Sequence, residues 1–235
     1  MGFNLLSQTG RNLYHDIWRD PHLVGFWPLN EGSSAVYDHA LAYRNNATGV
    51  LTTPGGAVGG LSGMVFASGV ANYVAVASSP INFGKSAPFT LLAAAKHDTA
   101  NGSQTYISKL GSQGFAWQQD ASGKPFAVIA QDIGTSGITK ESNVVNVSGT
   151  PYLLGLTYDG GGLATGMCFW RNGSTESSST VLDNLSGNAT TVATLEFGRV
   201  LGGGIMGGTL GFIAMFNSVK TPIDMKRWAR LGGFA

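Results

Sequence analysis

From residue 22 onward apolar residues return at every second position in short runs broken by glycine, a spacing that confines the chain to strands. Val70, Asn72, Val74 and Val76 alternate with Ala71, Tyr73, Ala75 and Ala77. Phe89, Leu91, Ala93 and Ala95 form a second such face, with Pro88 at the strand start. Tyr106–Lys109, Phe115–Gln118 and Phe126–Ile129 read as three short strands separated by glycine-containing turns. Tyr152–Tyr158, Gly166–Arg171, Thr194–Phe197 and Thr209–Phe216 follow, punctuated by Asp159–Gly162 and Asn172–Gly173, whose residues accept positive φ at low cost. No long helices alternate with these runs, so the pattern predicts an all-β, two-sheet antiparallel sandwich.

Two segments depart from the period of two. In residues 1–21, Leu13, Tyr14, Ile17 and Trp18 recur at helical spacing and Pro21 supplies a stop, which predicts an amphipathic N-terminal helix. Such a stripe needs a cover, either the chain's own sandwich or a neighbouring subunit for which residues 1–21 act as a docking arm. Near the other end, Thr221 can cap, Pro222 suits a first helical position, Asp224 can receive amide hydrogen bonds, and Gly232 can end the turn. A short C-terminal helix carrying Met225 and Trp228 on one face is therefore expected to close a domain spanning 22–235. The runs Gly55-Gly56, Gly59-Gly60, Gly202–Gly204 and Gly207-Gly208 lack a phosphate-binding Lys-Ser/Thr or a dinucleotide fingerprint, and read as loops and tight turns.

Charged residues are 11% of the 235, against about a quarter in an ordinary globular chain, so hydroxyls and amides must carry solubility. The net charge of +1 comes without a Lys/Arg cluster, which removes nucleic acid and anionic bilayers as expected partners. No apolar stretch reaches the length of a spanning helix, and the first residues lack the layout of a signal peptide; the expectation is a chain neither embedded in a membrane nor conventionally secreted. The single cysteine, Cys168, lies in the apolar run Met167–Trp170 and reads as a strand residue; it leaves no disulfide within the chain.

Taken in order, several fragments resemble the laminin-G-like branch of the concanavalin A-like lectin and glucanase superfamily. Leu23–Gly32 is similar to that family's opening, and Asp38 followed by Asn45–Gly49 to its polar loop. Ala71–Val76, Ala87–Leu91 and Tyr106–Lys109 continue the series, as do Leu156–Gly160, Phe169–Gly173, Leu195–Gly198 and Gly208–Asn217. The resemblance covers residues 23–232 and implies a jelly-roll sandwich. It departs from the family before the last strand, where an acidic pair is common and Leu210-Gly211-Phe212 stands here. It therefore supports the fold better than any family metal or sugar site.

Enzymatic relatives would carry two carboxylates across a sugar bond, in a Glu-x-Asp-x-x-Glu run. Here Glu31, Glu141, Glu176 and Glu196 are isolated, and no zinc motif accompanies His15, His22, His39 and His97, so no catalysis is expected and no cofactor is required. A structural calcium is the metal to consider, with Asp38, Asn45, Asn46 and Asp159 as candidate oxygen ligands; local capping and Asx turns explain the same residues. Carbohydrate binding needs an exposed aromatic beside amides or carboxylates, and by residue type Tyr43, Trp117 and Trp170 qualify, although both tryptophans also suit the core. The Asn-x-Ser/Thr motifs at Asn46, Asn101, Asn146, Asn172 and Asn188 read as polar turns.

The expectation from low charge, an aromatic N-terminal segment and a near whole-chain sandwich is a non-catalytic structural or adhesion module. The leading form is an accessory, decoration or appendage component of a phage-like particle, assembled in the host cytoplasm and contacting capsid or tail subunits or further copies of itself through Leu13, Tyr14, Ile17 and Trp18. The alternative is a calcium-assisted carbohydrate-binding module, at a cell surface or outside the cell within a larger complex.

Overall fold

The computed structural model describes residues 8–31, 35–40, 45–50, 52–70, 72–77, 79–98, 102–200 and 203–234, with side chains from Asn12 onward. Among the described residues seventeen strands form two antiparallel sheets, with one α-helix toward each end. In the first sheet the order is β14 (Ser174–Thr175), β13 (Met167–Arg171), β12 (Pro151–Tyr158), β7 (Phe89–His97), β17 (Gly208–Phe216), β5 (Leu61–Phe66) and β4 (Thr53–Val58). Strand β1 (Leu23–Trp27) pairs with β17 off this path.

The second sheet runs β15 (Ser178–Asp183), β11 (Ser136–Ser142), β10 (Pro125–Asp132), β9 (Gly114–Gln119), β8 (Gln104–Leu110), β16 (Leu195–Phe197), β6 (Tyr73–Val76), β3 (Ala47–Val50) and β2 (Ala35–Val36). Alternate residues of both sheets meet between them: Trp27, Phe66, Phe89, Tyr106, Phe115, Trp117, Phe169 and Phe197 are buried in this core. Strand-to-strand crossovers between distant segments, such as β7 beside both β12 and β17, make the jelly roll.

Strand β7 is buried on both faces, which explains its Ala93-Ala94-Ala95 run: large residues would not fit between two packed layers. The second layer is helical. Helix α1 (Gln8–Trp18) lays Leu13, Tyr14 and Ile17 on the outer face of the first sheet, against Phe26, Phe212, Trp228 and Phe234. Of the two covers the sequence left open, the chain's own sandwich meets this stripe. These three side chains cover the chain's own sandwich because Phe26, Leu92, Ala94 and Phe212 supply an apolar surface there, whereas Trp18 stays 42% exposed.

Helix α2 (Pro222–Leu231) begins as the sequence predicts, with a reciprocal capping box between Thr221 and Asp224, an arrangement worth about 1 kcal/mol. Its end differs by one residue: Gly232 keeps a helical φ of −83° and the left-handed position is Gly233, at φ 73°. Trp228 stacks on Phe216 at 5.1 Å, and its Nε1 donates to Asp16 Oδ2 at 2.7 Å, tying α2 to α1. Gly59-Gly60 forms the tight turn expected, whereas Gly55-Gly56, read as a loop, lies within a strand. They belong to the β4–β5 hairpin, with Gly59 at the turn and Gly55 in a bulge, where φ values of 59° and 99° demand glycine.

Candidate functional site

The first sheet is covered by α1 and α2; the outer face of the second sheet is partly exposed at Tyr73, Phe126, Val128, Thr139 and Arg199, while Thr105, Ser108, Ala116, Gln118 and Glu196 within it are buried. Its residues follow from the period of two. Ala127 and Ile129 point into the core, so Phe126 and Val128 point out; Trp117 points in, so Ala116 and Gln118 point out. The pairing sets them in rows across the strands. One row reads Ala75, Glu196, Ser108, Ala116, Val128, Thr139 and Leu182. Beside it run Thr105, Gln118, Phe126 and Glu141.

The floor of the first row is small, at Ala75, Ser108 and Ala116, and from Glu196 to Thr139 it crosses five strands, about 19 Å at the usual strand spacing. Beside it Val200 pairs with Gly203, and Gly204 lies against Thr105 and Gln118. A Cβ at Gly204 would stand 2.7 Å from Thr105 Oγ1 and 3.3 Å from Gln118 Oε1, so only glycine allows the segment so close. Arg199 leaves this segment to lie over Tyr73, its guanidinium carbon 3.4 Å from the ring centroid. Its Nε donates to Glu196 Oε2 at 3.0 Å and its Nη2 to Oε1, a bidentate pair that holds the guanidinium above its ordinary pKa range. At the far rim Lys124 donates to Glu141 at 2.9 Å, flanking the half-buried Phe126.

This face combines aromatic rings with an amide, hydroxyls and paired charges. Among the described residues Glu141, Glu176 and Glu196 are each paired with a cation, and Glu31 accepts from the Tyr37 amide beside His39. Among the described residues no group of three or more His, Cys, Asp or Glu is placed to hold a metal ion.

The residues singled out in the sequence fall elsewhere. Trp117 is 1% exposed in the core, against Tyr106, and Trp170 is 6% exposed beneath α2 with its Nε1 donating to Thr157, so neither offers a ring to a ligand. Tyr43 lies outside the described residues.

Asp38, Asn45 and Asn46 do come together, as a backbone clamp. Asp38 Oδ1 accepts from the amides of Phe26 and Ala40 and Oδ2 from that of Asn45, while Asn46 Oδ1 accepts from the Asp38 amide. Burial pushes the Asp38 carboxyl up, and the three amides pull against it. Asp159 sits in a separate turn after β12 and accepts from Gly161. The candidate calcium donors therefore lie in two places, Asp38, Asn45 and Asn46 in one and Asp159 in the other.

Sequence reasoning missed Phe126, Tyr73, Gln118, Glu196 and Arg199 as site residues. The usable signal was parity: Phe126 and Gln118 sit one position out of step with the core residues of their strands.

No protein-family model matches the chain, and no curated protein matches it. Solved structures do. The binding domain of botulinum neurotoxin serotype G aligns at TM-score 0.65 and 12% identity, over 89% of this chain and 51% of that one. The binding domain of Paraclostridial Mosquitocidal Protein 1 aligns at 0.60 and 12%, over 88% and 52%, and Trypanosoma rangeli sialidase at 0.60 and 13%, over 94% and 37%. The chain therefore spans about half or less of the length of these proteins. At such identities the likeness is one of architecture: this chain's jelly-roll sandwich is shared with part of each of those proteins.

Proposed function

We propose that the chain is a non-catalytic, lectin-like module that binds carbohydrate, alone or on a receptor, through the open face of its second sheet. One observation carries the reading. Two helices close one side of the sandwich, and on the other Phe126, Tyr73, Thr139 and Arg199 are partly exposed, with Gln118, Ser108 and Glu196 buried among them. A sugar ring has an apolar C–H face, which aromatic rings cover, and an equatorial rim of hydroxyls, which amides and carboxylates meet. The architecture it shares with domains named as binding domains supports the same reading, and with it a cell-surface or extracellular place of action.

The competing reading, a phage-particle component docked on capsid or tail subunits, depended on Leu13, Tyr14 and Ile17 meeting a neighbour. Their packing within the chain leaves Trp18 as the exposed member of that set. A broad oligosaccharide screen of the intact chain and its Phe126→Ala variant tests the proposal. Binding that the substitution weakens is the expected result; the absence of any glycan ligand returns the assembly reading to the front.

A further inference from the structure

We infer that the ligand of this face is an uncharged, hydroxyl-rich saccharide and that anionic sugars are turned away, because the charges which the described residues place there are matched within the protein; the inference rests on the carbohydrate reading above. Four charged side chains stand on the face or its rim: Glu196, Arg199, Lys124 and Glu141. They form two ion pairs, Arg199 with Glu196 and Lys124 with Glu141.

The Arg199 pair is fixed on several sides. Nε and Nη2 are both turned to the Glu196 carboxylate, and the guanidinium carbon lies over the Tyr73 ring. A carboxylate or sulfate reaching for Arg199 would set a second anion beside Glu196, whose side chain is only 12% exposed and has little water to screen the repulsion. Displacing Glu196 would strand that carboxylate without its partner. The Lys124 ammonium is engaged in the same way by Glu141 at 2.9 Å.

Hydroxyl groups meet no such obstacle. A hydroxyl donates to the remaining lone pairs of Glu196 and accepts from the Nη1 edge of Arg199, which faces away from the carboxylate, so it can bridge the pair without breaking it. The partly exposed Thr139 adds an uncharged hydroxyl, while Phe126 and Val128 supply the apolar contact. The pair then acts as a specificity determinant by presenting a cation and an anion together with no net charge.

Calorimetric titration of the intact chain with neutral oligosaccharides and with their carboxylated or sulfated counterparts, at about 20 mM and about 500 mM sodium chloride, tests this. The neutral series is expected to bind with an affinity that changes less than about twofold between the two salts, and the acidic series at least about tenfold more weakly. Glu196→Gln, with its fold checked by denaturation, leaves Arg199 uncompensated and is expected to gain salt-sensitive binding of the acidic series. Tighter binding of the acidic series by the unaltered chain, lost in Arg199→Ala, would overturn the ligand class while leaving the carbohydrate reading standing. Failure of both series to bind would overturn the carbohydrate reading itself, and the ligand class with it.

Discussion

Arg199 rests on the ring of Tyr73 while reaching sideways to Glu196, so residues far apart in sequence are joined on one open sheet face. Gly198 makes the approach feasible. Its φ is 84°, and a Cβ there would collide with the Phe66 ring at 2.3 Å, so the chain can turn Arg199 back over the sheet only with glycine at this point.

If Tyr73 holds the guanidinium in place, Tyr73→Ala costs about 1 kcal/mol of stability at most and weakens glycan binding by roughly tenfold. Denaturant unfolding and calorimetry on the same sample separate the two effects. A variant with lost stability and unchanged binding would remove the Tyr73–Arg199 stack from the site.

The helical cover hangs on Asp16. Its Oδ2 accepts from the buried Trp228 indole at 2.7 Å and from Arg227 Nε at 2.8 Å. Asp16→Ala leaves the indole N–H unpartnered, with an expected loss of about 1–3 kcal/mol in chemical denaturation. Glycan affinity, read on the opposite sheet, should stay within about twofold.

Deleting residues 1–21 should raise the apparent mass in light scattering, or lower solubility. It strips Leu13, Tyr14 and Ile17 from Phe26, Phe212 and Trp228 and bares an apolar face. Dissociation of an oligomer on the same deletion would instead restore the arm that docks on a neighbour.

His97 adds a pH dependence. It is fully buried against Tyr106, and burial, reinforced by the Arg171 charge, pushes its pKa from 6.5 down to about 4. The fold therefore favours the neutral ring. This contribution is complete above pH about 6.5 and drains away as pH falls toward about 4, to a total of about 3 kcal/mol. Denaturation curves across that window should flatten in His97→Phe; an unchanged slope would assign the acid sensitivity to other groups.

The capping of α2 and the Asn172-Gly173 hairpin turn, with φ values of 50° and 80°, were legible because each depends on local chemistry. The β4–β5 hairpin was not, since its glycines carry no side-chain period to read. The site was hidden for another reason. Alternation divides a strand into two faces, but which face is sealed depends on where α1 and α2 dock, a tertiary fact. Residue type then drew attention to Trp117 and Trp170, the rings the core consumes, and away from Phe126, which parity leaves outside.

The central claim, that ligand is bound on the open face of the second sheet, is tested most directly by following backbone amide shifts in nuclear magnetic resonance as a bound oligosaccharide is titrated. The account predicts that the largest shifts cluster on β8, β9, β10 and β16 and on the Gly198–Gly207 segment, around Ser108, Gln118, Phe126 and Glu196. Shifts confined to the loops at the ends of the sandwich, or to α1 and α2, would contradict it.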